Sequence, residues 1–168
     1  LIRVRGGFDL DAVDGGSGED TLAVEDFPLS GMLINIRTGF YGAGFVTTSV
    51  TDIEHAEGSQ LDDLILFGAG NNQLSGRGGN DTLQGGTGTD TINGGDGDDL
   101  IQVMPFEELD HVHGGAGIDT LDHSALTRDF DAFDFLNGQI ITPFATGTPQ
   151  ISGIEIYLDG SGANFIIS

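Results

Sequence analysis

Residues 76–102 read as three consecutive nine-residue units: GRGGNDTLQ (Gly76–Gln84), GGTGTDTIN (Gly85–Asn93) and GGDGDDLIQ (Gly94–Gln102). Each carries glycine at positions one and four, aspartate at six, and Leu or Ile at eight. Closely spaced glycines admit the positive-φ conformations that are costly for other residues, so the first six positions predict a tight turn. The last three hold one apolar side chain between two that face outward, which suits a very short strand. One such strand cannot bury its apolar residue alone; stacked copies can.

The turn has a chemistry of its own. Glycine-rich backbone points several carbonyl oxygens into a small space, and the sixth-position aspartate closes it with a full negative charge. Carbonyl and carboxylate oxygens, roughly 6–8 of them, are what a hard cation such as Ca²⁺ prefers. Two carboxylates about 4 Å apart repel by roughly 4 kcal/mol at an effective dielectric near 20. A ladder of them therefore needs counter-charge.

Composition sharpens this reading. The 168 residues suffice for one domain or a continuous solenoid. Asp and Glu number 27 against 5 Lys and Arg, a net charge of −22 that opposes binding to nucleic acid or acidic membrane surfaces. Such charge favours disorder, but 38% hydrophobic content with a regular apolar position argues for a fold conditional on cations. There is no cysteine for a disulfide framework. No apolar run approaches the roughly 20 residues of a membrane span. The chain opens on Leu1-Ile2-Arg3 without a signal-peptide pattern and is expected to be a piece of a longer protein.

Taken in order, the chain divides into a short repeat pair (6–23), a strand excursion (24–56), the main array (57–122) and a second excursion (123–168) leading into another repeat, all on one solenoid. The pair is Gly6–Asp14, with Asp11 and Val13 at positions six and eight, and Gly15–Ala23, with Asp20 and Leu22. Strands are expected near Met32–Ile36 and Phe45–Val50. The array resumes as Glu57–Ile65, with Asp62 at six and Leu64 at eight, then one extra residue, then Phe67–Ser75 with Asn72 replacing aspartate. After the three strong units Val103-Met104 interrupt; Pro105–His113 offers Asp110, and Gly114–Asp122 offers Asp119 and Leu121. The second excursion repeats the first at a distance of about a hundred residues. GEDTL at 18–22 aligns with GIDTL at 117–121, and Ile53-Glu54 with Ile154-Glu155. Asn164 then falls at the aspartate position of a further unit.

These units resemble the RTX, or hemolysin-type calcium-binding, repeat family. The resemblance implies an all-β fold: a right-handed parallel β-roll, or β-helix solenoid, with calcium-binding GGxGxDxUx turns and two longer strand excursions. In that family two units make one coil, and several Ca²⁺ ions sit between successive turns on each edge. Carried onto this chain, one edge holds Asp62, Asp81, Asp99 and Asp119, and the other Asn72, Asp90 and Asp110. Main-chain carbonyls would complete the shells: Gly68 and Gly70; Gly76, Arg77, Gly78 and Gly79; Gly85, Gly86, Thr87 and Gly88; Gly94, Gly95, Asp96 and Gly97; Gly114 and Ala116. The site between the turns of Asp81 and Asp99 should be the best formed. Those pairing Asp90 with Asn72 or Asp110 should be weaker or remodelled, and Asp11 and Asp20 are expected to lack a regular partner turn.

The resemblance further implies a secreted, extracellular bacterial module that passes the type I secretion machinery unfolded and folds in calcium outside, serving secretion, structure and stability of a larger protein. A calcium-dependent adhesive or carbohydrate-binding module is the alternative, with a glycan or cell-surface ligand on a surface drawn from Phe40, Tyr41, Phe45, Phe133, Phe135 and Tyr157. No catalytic role is expected, because neither HExxH nor GxSxG occurs. His111, His113 and His123 lack the constellation that a zinc site requires.

Overall fold

The computed structural model describes residues 1–5, 13–25, 32–35, 40–43, 48–103, 110–123, 132–134, 139–141, 151–159 and 164–166. All regular structure among them is strand. The elements are β1 (Ile2–Arg5), β2 (Val13–Asp14), β3 (Thr21–Glu25), β4 (Met32–Asn35), β5 (Phe40–Ala43), β6 (Thr48–Thr51), β7 (His55–Glu57), β8 (Leu64–Leu66), β9 (Gln73–Gly78) and β10 (Thr82–Gln84). The chain continues through β11 (Thr91–Asp96), β12 (Leu100–Gln102), β13 (His111–Ala116), β14 (Thr120–His123), β15 (Ala132–Asp134), β16 (Gln139–Ile141), β17 (Ile151–Ser152), β18 (Ile156–Asp159) and β19 (Asn164–Ile166). No helix long and apolar enough to cross a membrane occurs among the described residues.

Successive units alternate between two sheets, which makes the fold a parallel β-solenoid. One sheet runs β1-β3-β7-β9-β11-β13-β17; the other contains the parallel run β4-β8-β10-β12-β14-β18. Between the sheets the eighth-position side chains stack in register. Ile65 pairs with Leu83, Leu83 with Ile101 and Ile101 with Leu121 on one side. Ala56, Leu74, Ile92, Val112 and Ile151 form the matching column. Ile65, Leu83, Ile101 and Leu121 are fully buried, each burial stabilising by roughly 1.5–3 kcal/mol. Only stacked coils supply the apolar neighbours that each three-residue strand lacks.

The stacking corrects the register expected for the first unit of the main array. Leu64, expected at position eight, is 37% exposed, whereas Ile65 is 0% exposed and pairs with Leu83. The unit is therefore Gly58–Leu66, with Asp63 and not Asp62 at position six, and no extra residue precedes Phe67. A one-residue slip would turn every side chain of β8 to the wrong face, so burial of Ile65 decides between the two aspartates.

The excursions leave the roll and return to it. β4, β5 and β6 form an antiparallel meander whose ends pair parallel with β8 and β2. The strand expected near Phe45–Val50 is β6, with β5 as an additional strand before it. β15 and β16 form a hairpin. Asn164, expected at a turn position, instead lies in β19, antiparallel to β18 and opposite Leu158.

Candidate metal centres

Along one edge of the roll the sixth-position carboxylates form a continuous ladder. Asp81 Oδ1 accepts the main-chain N–H of Asp63 at 2.7 Å, Asp99 Oδ1 that of Asp81 at 2.8 Å, and Asp119 Oδ1 that of Asp99 at 2.9 Å. Each aspartate thus ties its own turn to the turn one coil before. The ladder leaves the second oxygen of these carboxylates over. Oδ2 of Asp81, Asp99 and Asp119 is buried without a hydrogen-bond partner, and the three residues are only 0–2% exposed. Buried carboxylate oxygens without donors are costly and call for a cation or a proton.

Main-chain oxygens converge on the same places. A Cβ built on Gly76 would lie 1.9 Å from Asp81 Oδ2 and 2.6 Å from the Gly94 carbonyl oxygen. On Gly94 it would meet Asp99 Oδ2 at 2.2 Å and Gly114 O at 2.4 Å. On Gly114 it would meet Asp119 Oδ2 at 2.5 Å and Gly153 O at 1.7 Å. First-position glycine thus leaves room for a carboxylate and a carbonyl from the next coil. Carbonyls at positions two and four also face the following turn: a Cβ on Gly95 would lie 2.3 Å from Arg77 O, and one on Gly97 2.1 Å from Gly79 O. This all-oxygen donor set fits Ca²⁺. Among the described residues no group of three or more His, Cys, Asp or Glu side chains is placed to hold a metal ion by itself, so main-chain carbonyls would have to supply most of the oxygens.

The carboxylates carry the electrostatic mark of this packing. Burial pushes Asp81 up to about 8, opposed by the Asp63 N–H and reinforced by the charges of Asp63, Asp99 and Asp62. Burial likewise raises Asp99 to about 6, with Asp119 and Asp98 adding to it, and Asp119 is raised for the same leading reason.

The opposite edge is built the same way. Asp90 Oδ1 accepts the Asn72 N–H at 2.8 Å, and Asp110 Oδ1 accepts the Asp90 N–H at 2.9 Å. The Val103-Met104 insertion lengthens that step to twenty residues without breaking the rung. Asn72 differs in kind: its Nδ2 donates to Gly70 O at 2.9 Å and Gly85 O at 3.4 Å, so a donor stands where other turns place an acceptor.

Two rungs escaped the motif reading. Glu54 Oε2 accepts the Asp20 N–H and Glu155 Oε2 the Asp119 N–H, each at 2.8 Å. Each glutamate ends a three-residue turn, Asp52–Glu54 or Gly153–Glu155, whose first residue is left-handed, at φ 53° and 62°. Asp20, expected to lack a regular partner turn, meets this irregular one instead. The signal was present in the alignment of Ile53-Glu54 with Ile154-Glu155, but neither segment contains the glycine–aspartate pattern.

Asp62 occupies position five, exposed, where its Oδ1 accepts the Asn80 N–H at 2.7 Å. Gly70 N donates to Thr87 O, Gly79 N to Asp96 O and Gly97 N to Ala116 O, so these third-position carbonyls are committed to the inter-turn backbone ladder. Gly68 O also accepts a ladder bond, from Thr87 N–H at 2.9 Å, and lies 2.3 Å from a Cβ on Gly86, while Gly70 O lies 2.2 Å from one on Gly88. A Cβ on Gly85 would lie 2.1 Å from Asp90 Oδ2. Gly78 falls at the end of β9, and Gly115 O lies 3.3 Å from a Cβ on Gly153. Asp11 lies outside the described residues, as do Phe45 and Phe135; Phe40 and Tyr41 fall on β5, Phe133 on β15 and Tyr157 on β18. His111 and His113 share β13, and His113 Nδ1 meets Ser152 Oγ at 2.8 Å. His123 lies in the other sheet, on β14, where burial lowers it to about 4, so the three histidines are not brought together.

The family model for the RTX calcium-binding nonapeptide repeat matches in four copies, over residues 3–22, 62–101 and 109–122. No curated protein matches the chain.

Proposed function

We propose that this chain, which carries RTX calcium-binding nonapeptide repeats, is a calcium-folded structural module of a larger extracellular bacterial protein, unfolded during export and compact outside. The observation that carries the reading is the row of buried, unpartnered carboxylate oxygens at Asp81, Asp99 and Asp119. Residues suited to hold the ions are Asp81, Asp99 and Asp119 with carbonyls of Gly79, Gly94, Gly95, Gly97 and Gly114 on one edge, and Asp90 and Asp110 on the other. Glu54 and Glu155 extend the rungs to the coils that close each excursion. Bound calcium supplies the counter-charge that the ladder lacks. The role assigned to this chain is structural and not catalytic.

The energetics support a switch. Extracellular calcium sites commonly bind with Kd of about 10⁻⁴–10⁻³ M. At a hundredfold excess of ligand each independent site adds roughly 2.7 kcal/mol to the folded state. Several such contributions exceed what separates a marginal domain from its unfolded chain. With no cysteine in the chain, no disulfide opposes threading before export.

The test is far-UV circular dichroism during a calcium titration, with magnesium as control. A cooperative gain of β signal with calcium alone is expected. A folded spectrum indifferent to EGTA would sink the switch.

A further inference from the structure

The first turn of the main array, residues 58–63, keeps the first-position cradle, with a Cβ on Gly58 lying 2.3 Å from Asp63 Oδ2 and 2.7 Å from Gly76 O, but departs from the later turns in its donors and its fourth-position carbonyl. Its carboxylate is already satisfied by protein donors: Asp63 Oδ2 accepts Ser59 N–H at 2.6 Å, and Ser59 Oγ lies 3.2 Å from each carboxylate oxygen. Both residues are buried, at 4–5% exposure. The corresponding Oδ2 atoms of Asp81, Asp99 and Asp119 have no such donor.

The main-chain oxygens also depart. A Cβ on Gly97 or Gly117 would strike the fourth-position carbonyl oxygen of the preceding turn, at 2.1 and 2.2 Å. On Gly79 it would strike the Leu61 carbonyl carbon at 2.4 Å and the Asp62 nitrogen at 2.5 Å. The 61–62 peptide therefore presents its plane, not its oxygen, to the gap, and Leu61 O lies 3.4 Å from Ser59 Oγ, whose single proton goes to the nearer Asp63 carboxylate.

A protein cation stands at the same gap. Arg77 occupies the second position of the next turn at φ 79°, where Gly86, Gly95 and Gly115 sit at 96–123°. Its guanidinium pairs with Glu57, the residue before Gly58. A non-glycine residue in this region costs of order 1–3 kcal/mol.

We infer that the gap between turns 58–63 and 76–81 closes on protein donors alone, without an ion. It is a metal-independent rung at the head of the ladder, against which the first calcium-requiring turn, that of Asp81, can dock. The inference rests on the calcium reading for the other turns.

The experiment counts bound calcium on the whole chain by native mass spectrometry and calorimetry, comparing wild type with Asp63→Asn and Asp99→Asn. Asp63→Asn should bind as many ions as wild type, and Asp99→Asn at least one fewer. If Asp63→Asn loses an ion as Asp99→Asn does, the inference is overturned while the calcium reading stands. A wild-type chain that takes up no calcium would overturn the reading itself. Asp63→Ser gives a second variant for the same count should Asp63→Asn not fold: as many ions as in wild type are expected, and one fewer would overturn the inference.

Discussion

The main-chain N–H of Asp119 donates to Glu155 Oε2 across 2.8 Å, repeating with a longer side chain the contact that Asp99 makes to Asp119 Oδ1 one coil earlier. The excursion between these coils therefore ends by restoring the ladder. Glu155→Ala strands a buried amide donor and should cost about 1–3 kcal/mol of stability. Glu155→Gln keeps an acceptor and removes only the charge, so it should unfold close to wild type without calcium and below it in saturating calcium. Thermal unfolding under the two conditions checks both.

Gly76 and Gly78 are two residues apart and should respond to alanine to different degrees. A Cβ on Gly76 would lie 1.9 Å from Asp81 Oδ2 and 2.6 Å from Gly94 O, inside the oxygen cluster. Gly76→Ala should cost about 1–3 kcal/mol and weaken calcium binding at that turn. The Cβ of Gly78→Ala meets the end of the flexible Gln60 side chain at 3.1 Å and Asp96 O at an ordinary 3.8 Å. Its effect should stay within about 1 kcal/mol, as midpoints of calcium-induced folding will show.

Acidity should substitute in part for calcium. Asp81, pushed up to about 8, and Asp99, to about 6, bind more protons folded than unfolded, where the ordinary value is about 3.9. Their favourable contribution is complete below pH about 4 and is lost as pH rises through about 6 and then 8. In calcium-stripped buffer the β signal and melting temperature should therefore fall from pH 5 to pH 8.5, and Asp81→Asn should flatten the trend. In excess calcium the cation favours the ionised carboxylates, and the fall should disappear.

Asn72 puts an amide donor between Gly70 O and Gly85 O, where its neighbours along the edge have a carboxylate. Asn72→Asp replaces that donor with a charge directed at a cation. It should lower the calcium midpoint by roughly tenfold, equivalent to about 1.4 kcal/mol, and lower stability in EGTA. A calcium titration of both chains measures the two effects.

Ile101 is fully buried between Leu83 and Leu121. Ile101→Ala should cost about 2–5 kcal/mol and raise the calcium needed to fold without reducing the number of ions bound.

Much of this architecture was readable in advance because its cause is local. Glycine at positions one and four and an aspartate at six specify a turn and its donors within six residues. The apolar eighth residue specifies that units must stack. This is why the turns of Asp81, Asp90, Asp99 and Asp119 could be named from the chain alone. The unit at 58–66 could not be aligned so readily: Asp62-Asp63 and Leu64-Ile65 offer two registers, and Ser59, Gln60 and Leu61 remove the glycines that would choose between them.

Contacts between coils made the remaining choices. Packing Ile65 against Leu83 selected Asp63 over Asp62, because side chains alternate faces along a strand and only one register buries an apolar column. The two residues added at Val103-Met104 left the rung from Asp90 to Asp110 intact, since β11 and β13 pair in register on either side of the insertion. Glu54 and Glu155 became rungs through reach: each returns from an excursion on a three-residue turn, and the glutamate still places a carboxylate oxygen 2.8 Å from the amide it must meet. A nine-residue period encodes the shape of one turn. Which turn lies above which, and what closes the gap between them, follows from burial and hydrogen bonding among residues eighteen or more apart.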